Sequence, residues 1–320
     1  MENNINKVTF FMLVTNRDCI IADYAIKSYE KIYNEKRKYG YKDFQLFIYL
    51  NCLSEENLAF YYDKWANYPF SVLYNNAEKI AAMKVKPYPG QTIISPEGMA
   101  RKVDDYAESY DELWSTELQK FNTPYIATVD ADFEVLDSDF YFDLMNKLSA
   151  DEQIICASSC YGQTLTEPVY DTYSKQYIYQ NERNNTWFCI YKKEAFELSK
   201  ISHYYFERKT EDGKIMVYDS ASYFQDSLRK KGFKFIAAPP QYFGSFVHYG
   251  AASKNKSLTR LNIGHYRNAF LIATKGLIKG KNNLLIRIIN KISRKIGHYL
   301  YDNFLSKIRT ERSTYIYTEE

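Results

Sequence analysis

Residues 125–135 read YIATVDADFEV: an apolar run, Tyr125–Val129, leads directly into Asp130-Ala131-Asp132. A short, nearly continuous apolar run closed by a polar cluster is the pattern of a strand buried on both faces. In open α/β sheets, ligands gather beyond the carboxyl ends of the strands. Two carboxylates placed there face the expected crevice. Hard divalent cations such as Mn²⁺ and Mg²⁺ prefer carboxylate and phosphate oxygens, so Asp130 and Asp132 are candidate metal ligands. A D-x-D tripeptide on a surface loop is common by chance; its position at a strand end gives this one its weight.

Working outward, the same grammar repeats. Val8–Val14 is a second apolar run, ended by Thr15, Asn16 and Arg17, and apolar residues then recur at helical spacing over Ile20–Tyr33. A buried strand is expected at Phe44–Leu50, a helix at Glu55–Trp65, a strand at Phe70–Tyr74, and a loop through Pro87, Pro89, Gly90 and Pro96. A long helix is expected from Gly98 to Phe121 before the Tyr125 strand. Strands alternating with helices imply right-handed crossovers and a mostly parallel sheet, a Rossmann-like α/β fold. Past residue 150 the pattern changes to short strands, Gln153–Ser158 and Trp187–Tyr191, around a Tyr-rich polar stretch at 161–186 that reads as an inserted acceptor region. A helix at Ser220–Lys231, stopped by Gly232, and a strand at Phe233–Ala237 complete this part.

Hydrophobic residues make up 46% of the 320-residue chain and charged residues 25%, which excludes a disordered or fibrous architecture. The 32 Tyr fit either sugar-stacking surfaces or plain compositional bias. The five cysteines are scattered with no C-x-x-C pair, so they read as reduced core residues, neither a disulfide framework nor a zinc site. The net charge of +3 hides an asymmetry: residues 1–270 carry −3 and residues 271–320 carry +6. A basic tail on an acidic body argues against nucleic acid as a partner. In the tail, Leu284, Leu285, Ile288, Ile289, Ile292 and Ile296 recur at helical intervals among Arg287, Lys291, Arg294 and Lys295, which suits an anionic membrane surface and packing on the body of the protein or on another subunit of a homo-oligomer equally. The expected division is a main domain over 1–270, with halves at about 1–135 and 136–270, and a helical extension over 271–320. The N-terminal apolar run is too short to span a membrane and is followed by no cleavage pattern, so a cytoplasmic location is expected, peripheral at the inner face of the membrane if the tail binds lipid.

No G-x-x-x-x-G-K-[ST] is present and no G-x-G-x-x-G follows the first strand, so P-loop and dinucleotide-binding chemistry lack a phosphate cradle. No G-x-S-x-G marks a hydrolase. Over roughly residues 7–255 the sequence resembles the GT-A glycosyltransferases, particularly bacterial inverting enzymes of surface-polysaccharide synthesis. The resemblance is carried by the strand ending in Thr15-Asn16-Arg17, by IYLNCLSEEN with Asn51, by VDADFEV, by YDSASYFQDSLRKKGFKF and by FVHYGAASKNKS. It implies that Thr15, Asn16, Arg17 and Asn51 line the nucleotide site, although Asn51 stands where many members carry an acid. It further implies that Asp130, Ala131 and Asp132 meet ribose and metal, and that His248 completes a Mn²⁺ (or Mg²⁺) site. Asp219 becomes the base that takes the acceptor proton, and a carboxylate beside a helix N-terminus is stabilised as the anion that this role requires. Lys254 reaches the phosphates, and Trp187 stands on the acceptor side, where it stacks on a sugar or packs in the core. Asp226, further along the same helix, is the weaker candidate for that base, and Asp137 and Asp139 read as capping or solvated acids. The implied reaction is sugar transfer from a nucleotide-diphosphate donor, UDP-linked in first expectation, to a glycan, lipid-linked glycan or protein hydroxyl. Two rival readings are a sugar nucleotidyltransferase, which usually opens with a Gly-rich basic loop missing from TNRDCIIADY, and a catalytically silent scaffold subunit of an assembly complex.

Overall fold

The computed structural model describes residues 7–16, 18–35, 43–51, 53–75, 92–94, 100–102, 121–159, 169–171, 176–180, 183–199, 206–209, 215–218, 221–239, 242, 245–248 and 292. Strand β1 (Lys7–Val14) pairs in parallel with β2 (Asp43–Leu50) on one side and β6 (Tyr125–Asp130) on the other, and β2 pairs in parallel with β3 (Ser71–Asn75). On the far side of β6, β11 (Phe188–Lys192) runs antiparallel between β6 and β8 (Ile154–Ser158), and β14 (Lys234–Ala237) closes the sheet in parallel with β8. The order is β14-β8-β11-β6-β1-β2-β3. This is the Rossmann-like α/β sheet expected from the sequence, with one antiparallel strand beside its centre.

The central strands are largely apolar because neither of their faces meets water, and the buried exceptions Thr9 and Thr128 are hydrogen-bonded to Thr123 and to the Thr186 carbonyl. Phe10, Met12 and Val14 of β1 and Ala127 and Val129 of β6 join the main core, while Phe11, Leu13 and Ile126 join a smaller cluster. Helices α1 (Cys19–Ser28), α2 (Glu30–Glu35) and α3 (Glu55–Ala66) follow the first two strands. The helix expected over Ile20–Tyr33 is interrupted at Tyr29. Ser28 Oγ donates to the Ala25 carbonyl at 2.6 Å and accepts the Val135 N–H at 2.9 Å, and side-chain bonding of this kind competes with the helical ladder. In α3, Ser54 caps the first turn and Tyr61 and Trp65, four residues apart, fill the core side. Trp65 is fully buried and its indole N–H donates to Asp23 at 3.1 Å, which makes it a core residue.

Helix α4 (Asp139–Ala150) lies after β7 (Phe133–Val135) and buries Phe140, Tyr141, Leu144, Met145 and Leu148; at its start Asp137 accepts the Asp139 N–H at 2.9 Å, the capping role expected of it. After α5 (Glu194–Leu198), α6 (Ser222–Lys230) ends as predicted at Gly232, whose φ of 90° and N–H bond to the Arg229 carbonyl turn the chain out of the helix. Asp226 on α6 pairs with Lys230 at 2.7 Å.

Two further features depart from the sequence reading. Ala100–Lys102 is strand β5, not the start of a helix, and residues 103–120 lie outside the described residues. β5 belongs to a second sheet of order β4-β5-β12-β13-β10-β9, built from β4 (Thr92–Ile94), β9 (Val169–Asp171), β10 (Gln176–Gln180), β12 (Phe206–Lys209) and β13 (Ile215–Tyr218). The Tyr-rich stretch thus contributes strands that pair with segments distant in sequence. A third sheet is the antiparallel pair of β15 (Phe246–His248) and β7. Among the described residues no helix is long and apolar enough to cross a membrane, and the basic stretch 271–320 lies outside them apart from Ile292.

Candidate metal centre

β6 delivers Asp130 to its carboxyl end, and a tight turn through Ala131 and Asp132 leads straight into β7. The Ala131 methyl is buried in the main core, so within the tripeptide the two acids are what face the site. The third member arrives from far along the chain. β15 pairs with β7 in a register that sets Phe246 opposite Val135 and His248 opposite Phe133, next to Asp132. The Ser245 carbonyl accepts the N–H groups of Leu136 and Asp137 at 2.8 and 3.0 Å and anchors β15 at its start. As a result His248 Nε2 lies 3.1 Å from Asp132 Oδ1 and 3.3 Å from Asp130 Oδ2.

Burial of His248 alone lowers its pKa, but hydrogen bonds to Asp130 and Asp132 and the charges of both outweigh that and push it up to about 9. The imidazole therefore carries a proton that the two carboxylates share. A divalent cation can take the place of that proton. The three ligand atoms lie within 4.8 Å of one another, and two carboxylate oxygens with one imidazole nitrogen form a donor set suited to Mn²⁺. The Asp130 side chain retains 24% of its exposure against 12% for Asp132 and His248, which leaves an open side for further ligands.

Two further groups surround the triad. The Trp187 ring stacks on the His248 imidazole with centroids 3.9 Å apart and planes 17° from parallel, and the Trp187 carbonyl accepts the Asp130 N–H at 2.9 Å. Asp18, which the sequence reading passed over, stands at the start of α1 and turns its carboxylate back onto Thr15, accepting from the hydroxyl at 2.6 Å and the N–H at 3.1 Å. Burial raises its pKa, the Thr15 bonds lower it, and the negative charges of Asp132 and Asp130 raise it again, so Asp18 feels the same site. The signal available was its place immediately after Thr15-Asn16-Arg17 at a strand end.

The other expected site residues divide into three groups. Thr15 and Asn16 lie at the carboxyl end of β1. Thr15 is engaged by Asp18, while Asn16 ties this loop to α3 by accepting from the Ser54 N–H at 2.7 Å and the Asn57 amide at 3.0 Å. Asn51, at the end of β2, is half-buried and its N–H donates to the Val14 carbonyl at 2.9 Å. Arg17, Asp219 and Lys254 lie outside the described residues. Asp219 belongs to the connection between β13 and α6, where Ala221 adopts a left-handed conformation with φ of 59° as the chain enters the helix.

No protein-family model matches the chain, and no curated protein matches it. Among solved structures, it is similar to the mannosyltransferase PcManGT from Pyrobaculum calidifontis in complex with GDP-Man and Mn²⁺, at 12% identity and a TM-score of 0.41, over 97% of this chain and 73% of that one. It is also similar to glucosyl-3-phosphoglycerate synthase from Mycobacterium tuberculosis in complex with Mn²⁺, uridine diphosphate and glucosyl-3-phosphoglycerate, at 10% identity and a TM-score of 0.41, over 86% of this chain and 81% of that one.

Three of the cysteines are described, Cys19, Cys156 and Cys189, and all are buried free thiols, as expected.

Proposed function

We propose that the protein is a metal-dependent glycosyltransferase that moves a sugar from a nucleotide-diphosphate donor to a hydroxyl acceptor. The observation that carries the proposal is the convergence of Asp130, Asp132 and His248 at the carboxyl end of the central parallel strand, beside the loop that follows β1. Such a site suits a ligand rich in anionic oxygen, because three protein ligands leave positions on a hard divalent cation that the oxygens of a diphosphate can fill. When bound, the ion would neutralise charge on the departing nucleotide diphosphate. The remaining tasks fall to the chain. Thr15, Asn16 and Asn51 end the two adjacent strands and form the floor on which a nucleoside would lie, with Arg17 beside them in sequence and Lys254 assigned to the phosphates.

Asp219 is assigned as the base. It precedes α6, whose N-terminal dipole favours the anion, and an ionised carboxylate takes the acceptor proton as the hydroxyl attacks the anomeric carbon. Direct attack by the acceptor gives inversion. UDP-sugars are the first donors to test, and glycan, lipid-linked glycan and protein hydroxyls the acceptor classes. The basic 271–320 stretch is assigned in the same reading to an anionic membrane surface, which would keep the enzyme peripheral to a membrane.

The test is hydrolysis and transfer with a panel of UDP-, GDP- and dTDP-sugars, with and without Mn²⁺, on wild type and on Asp132→Ala. Turnover of one nucleotide series that needs the metal and is lost in the variant supports the proposal. No turnover and no nucleotide binding in any combination overturns it and favours a silent scaffold subunit.

A further inference from the structure

We infer that Trp187 is a positioning residue of the metal centre: it holds two of the three ligands, His248 through its ring and Asp130 through its backbone. The inference rests on the metal reading of the Asp130–Asp132–His248 site and extends it to a residue that the sequence placed on the acceptor side. The Trp187 carbonyl accepts the Asp130 N–H at 2.9 Å and fixes the backbone from which that carboxylate projects. Its indole lies flat on the His248 imidazole at 3.9 Å, so the imidazole plane is set by the indole plane. With that plane fixed, Nε2 points at the two carboxylates instead of sampling the other rotamers open to a histidine at a strand end. One indole face is thereby covered, and an acceptor can meet only what remains of the ring.

Trp187 can perform this task because it is itself held. It packs against the main core, and β11 begins at the next residue. On its other side, Asn184, Asn185 and Thr186 are all buried, although each is polar. Asn184 explains much of this. Its amide donates to Ser158 Oγ at 2.8 Å and to the Ile236 carbonyl at 2.7 Å, while its N–H donates to Gln225 on α6 at 2.7 Å. Gln225 answers with a bond to the Asn184 carbonyl at 3.1 Å and another to the Tyr191 hydroxyl at 2.7 Å. The Thr186 carbonyl accepts from Thr128 of β6 at 3.3 Å. A satisfied buried network of this kind fixes a backbone more firmly than apolar contact does, because any shift leaves polar groups unpaired. The indole also suits the charge at the site. Its π face is negative and attracts an imidazole made cationic by a proton or a metal ion.

Partners that orient a metal-ligating histidine commonly govern metal affinity by about 10- to 100-fold. The test is Mn²⁺ titration of the metal-free full chain, followed by electron paramagnetic resonance of the free ion and by tryptophan fluorescence, on wild type, Trp187→Phe and Trp187→Leu. Trp187→Leu is expected to weaken Mn²⁺ at least about tenfold, and Trp187→Phe, which restores a flat ring, to recover most of that loss. Bound Mn²⁺ is expected to quench the wild-type fluorescence, and the quenching to disappear in Trp187→Phe, which keeps Trp65 and Trp114. Melting temperatures without metal separate positioning from folding: the Phe and Leu variants are expected to melt close together and yet differ in affinity. Equal Mn²⁺ affinity in wild type and Trp187→Leu overturns the inference and leaves the metal site standing, whereas no Mn²⁺ binding by the wild type overturns the metal reading beneath it. Should Trp187→Leu not fold, unchanged quenching in Trp187→Phe overturns the inference by itself.

Discussion

Phe246 and His248 stand two residues apart on β15, and the two-residue period of a strand gives them the same side, yet they live in opposite chemistries. Phe246 is packed by Phe133 at 5.3 Å and Phe140 at 4.9 Å, part of a run of rings that continues through Phe188 to Phe10 and Tyr141. His248 is stacked on one ring and faces two carboxylates. The apolar end draws its stability from burial and is indifferent to protons and ions. The polar end gathers two anions around one imidazole and settles only when a proton or a metal ion joins them. A single short strand thus joins the part of the molecule that holds the fold to the part assigned to chemistry, and the two ends are predicted to respond independently.

The largest effect is expected at the apolar end. Phe188 is fully buried among Phe10, Phe133, Phe140 and Tyr141, so Phe188→Ala should cost about 3–5 kcal/mol in denaturant unfolding. A loss below about 1 kcal/mol would mean that the ring cluster is not the core described. At the polar end, Asp132→Asn should weaken Mn²⁺ binding by at least about 100-fold, beyond what loss of a ligand's supporting partner costs, and destabilise the metal-free protein less than Phe188→Ala does, by no more than the part of the His248 shift that Asp132 supplies. Isothermal titration and thermal melting read the two quantities separately, and equal damage to both would break the comparison.

The pH dependence sharpens it. The pKa of His248 rises from 6.5 to about 9 on folding, so its protonated form stabilises the metal-free protein fully below about pH 6.5, and that contribution is lost as pH climbs through 9. The full shift corresponds to about 3 kcal/mol. Metal binding has the opposite sign. The ion competes with the proton, so Mn²⁺ affinity should rise with pH over the same window. Melting curves of metal-free wild type and His248→Gln across this range check the first statement, since the variant should lose the slope. The smallest effect is Phe246→Leu, which should cost about 1 kcal/mol and leave Mn²⁺ affinity unchanged. A loss of affinity there would show that the ends of β15 are coupled.

The sequence made the central sheet legible because β1, β2 and β6 are buried on both faces and read as continuous apolar runs. The second sheet was not legible. Its strands have 3 to 5 residues each, several are rich in Tyr and polar residues, and they are defined by partners far away, as when Glu207 of β12 registers with Ala100 of β5. That pairing is why Ala100–Lys102 is strand although the segment lies at the head of a helical-looking stretch. Asp130 and Asp132 could be named from residue type and position at a strand end, and His248 through the resemblance of FVHYGAASKNKS to a family motif. Their mutual distances could not, since they depend on the β7–β15 register. Asp18 and the Trp187 stack escaped for a related reason: a side chain turned back on its own loop and a ring placed by a buried amide network leave no periodic trace in a sequence.

The most direct test of the central claim is calorimetric titration of Mn²⁺ into metal-free wild type and into Asp132→Asn near neutral pH. The account predicts one ion bound per wild-type chain, with binding strengthened by added nucleoside diphosphate and lost in the variant. No binding to the wild type, or binding that survives in Asp132→Asn, would contradict it.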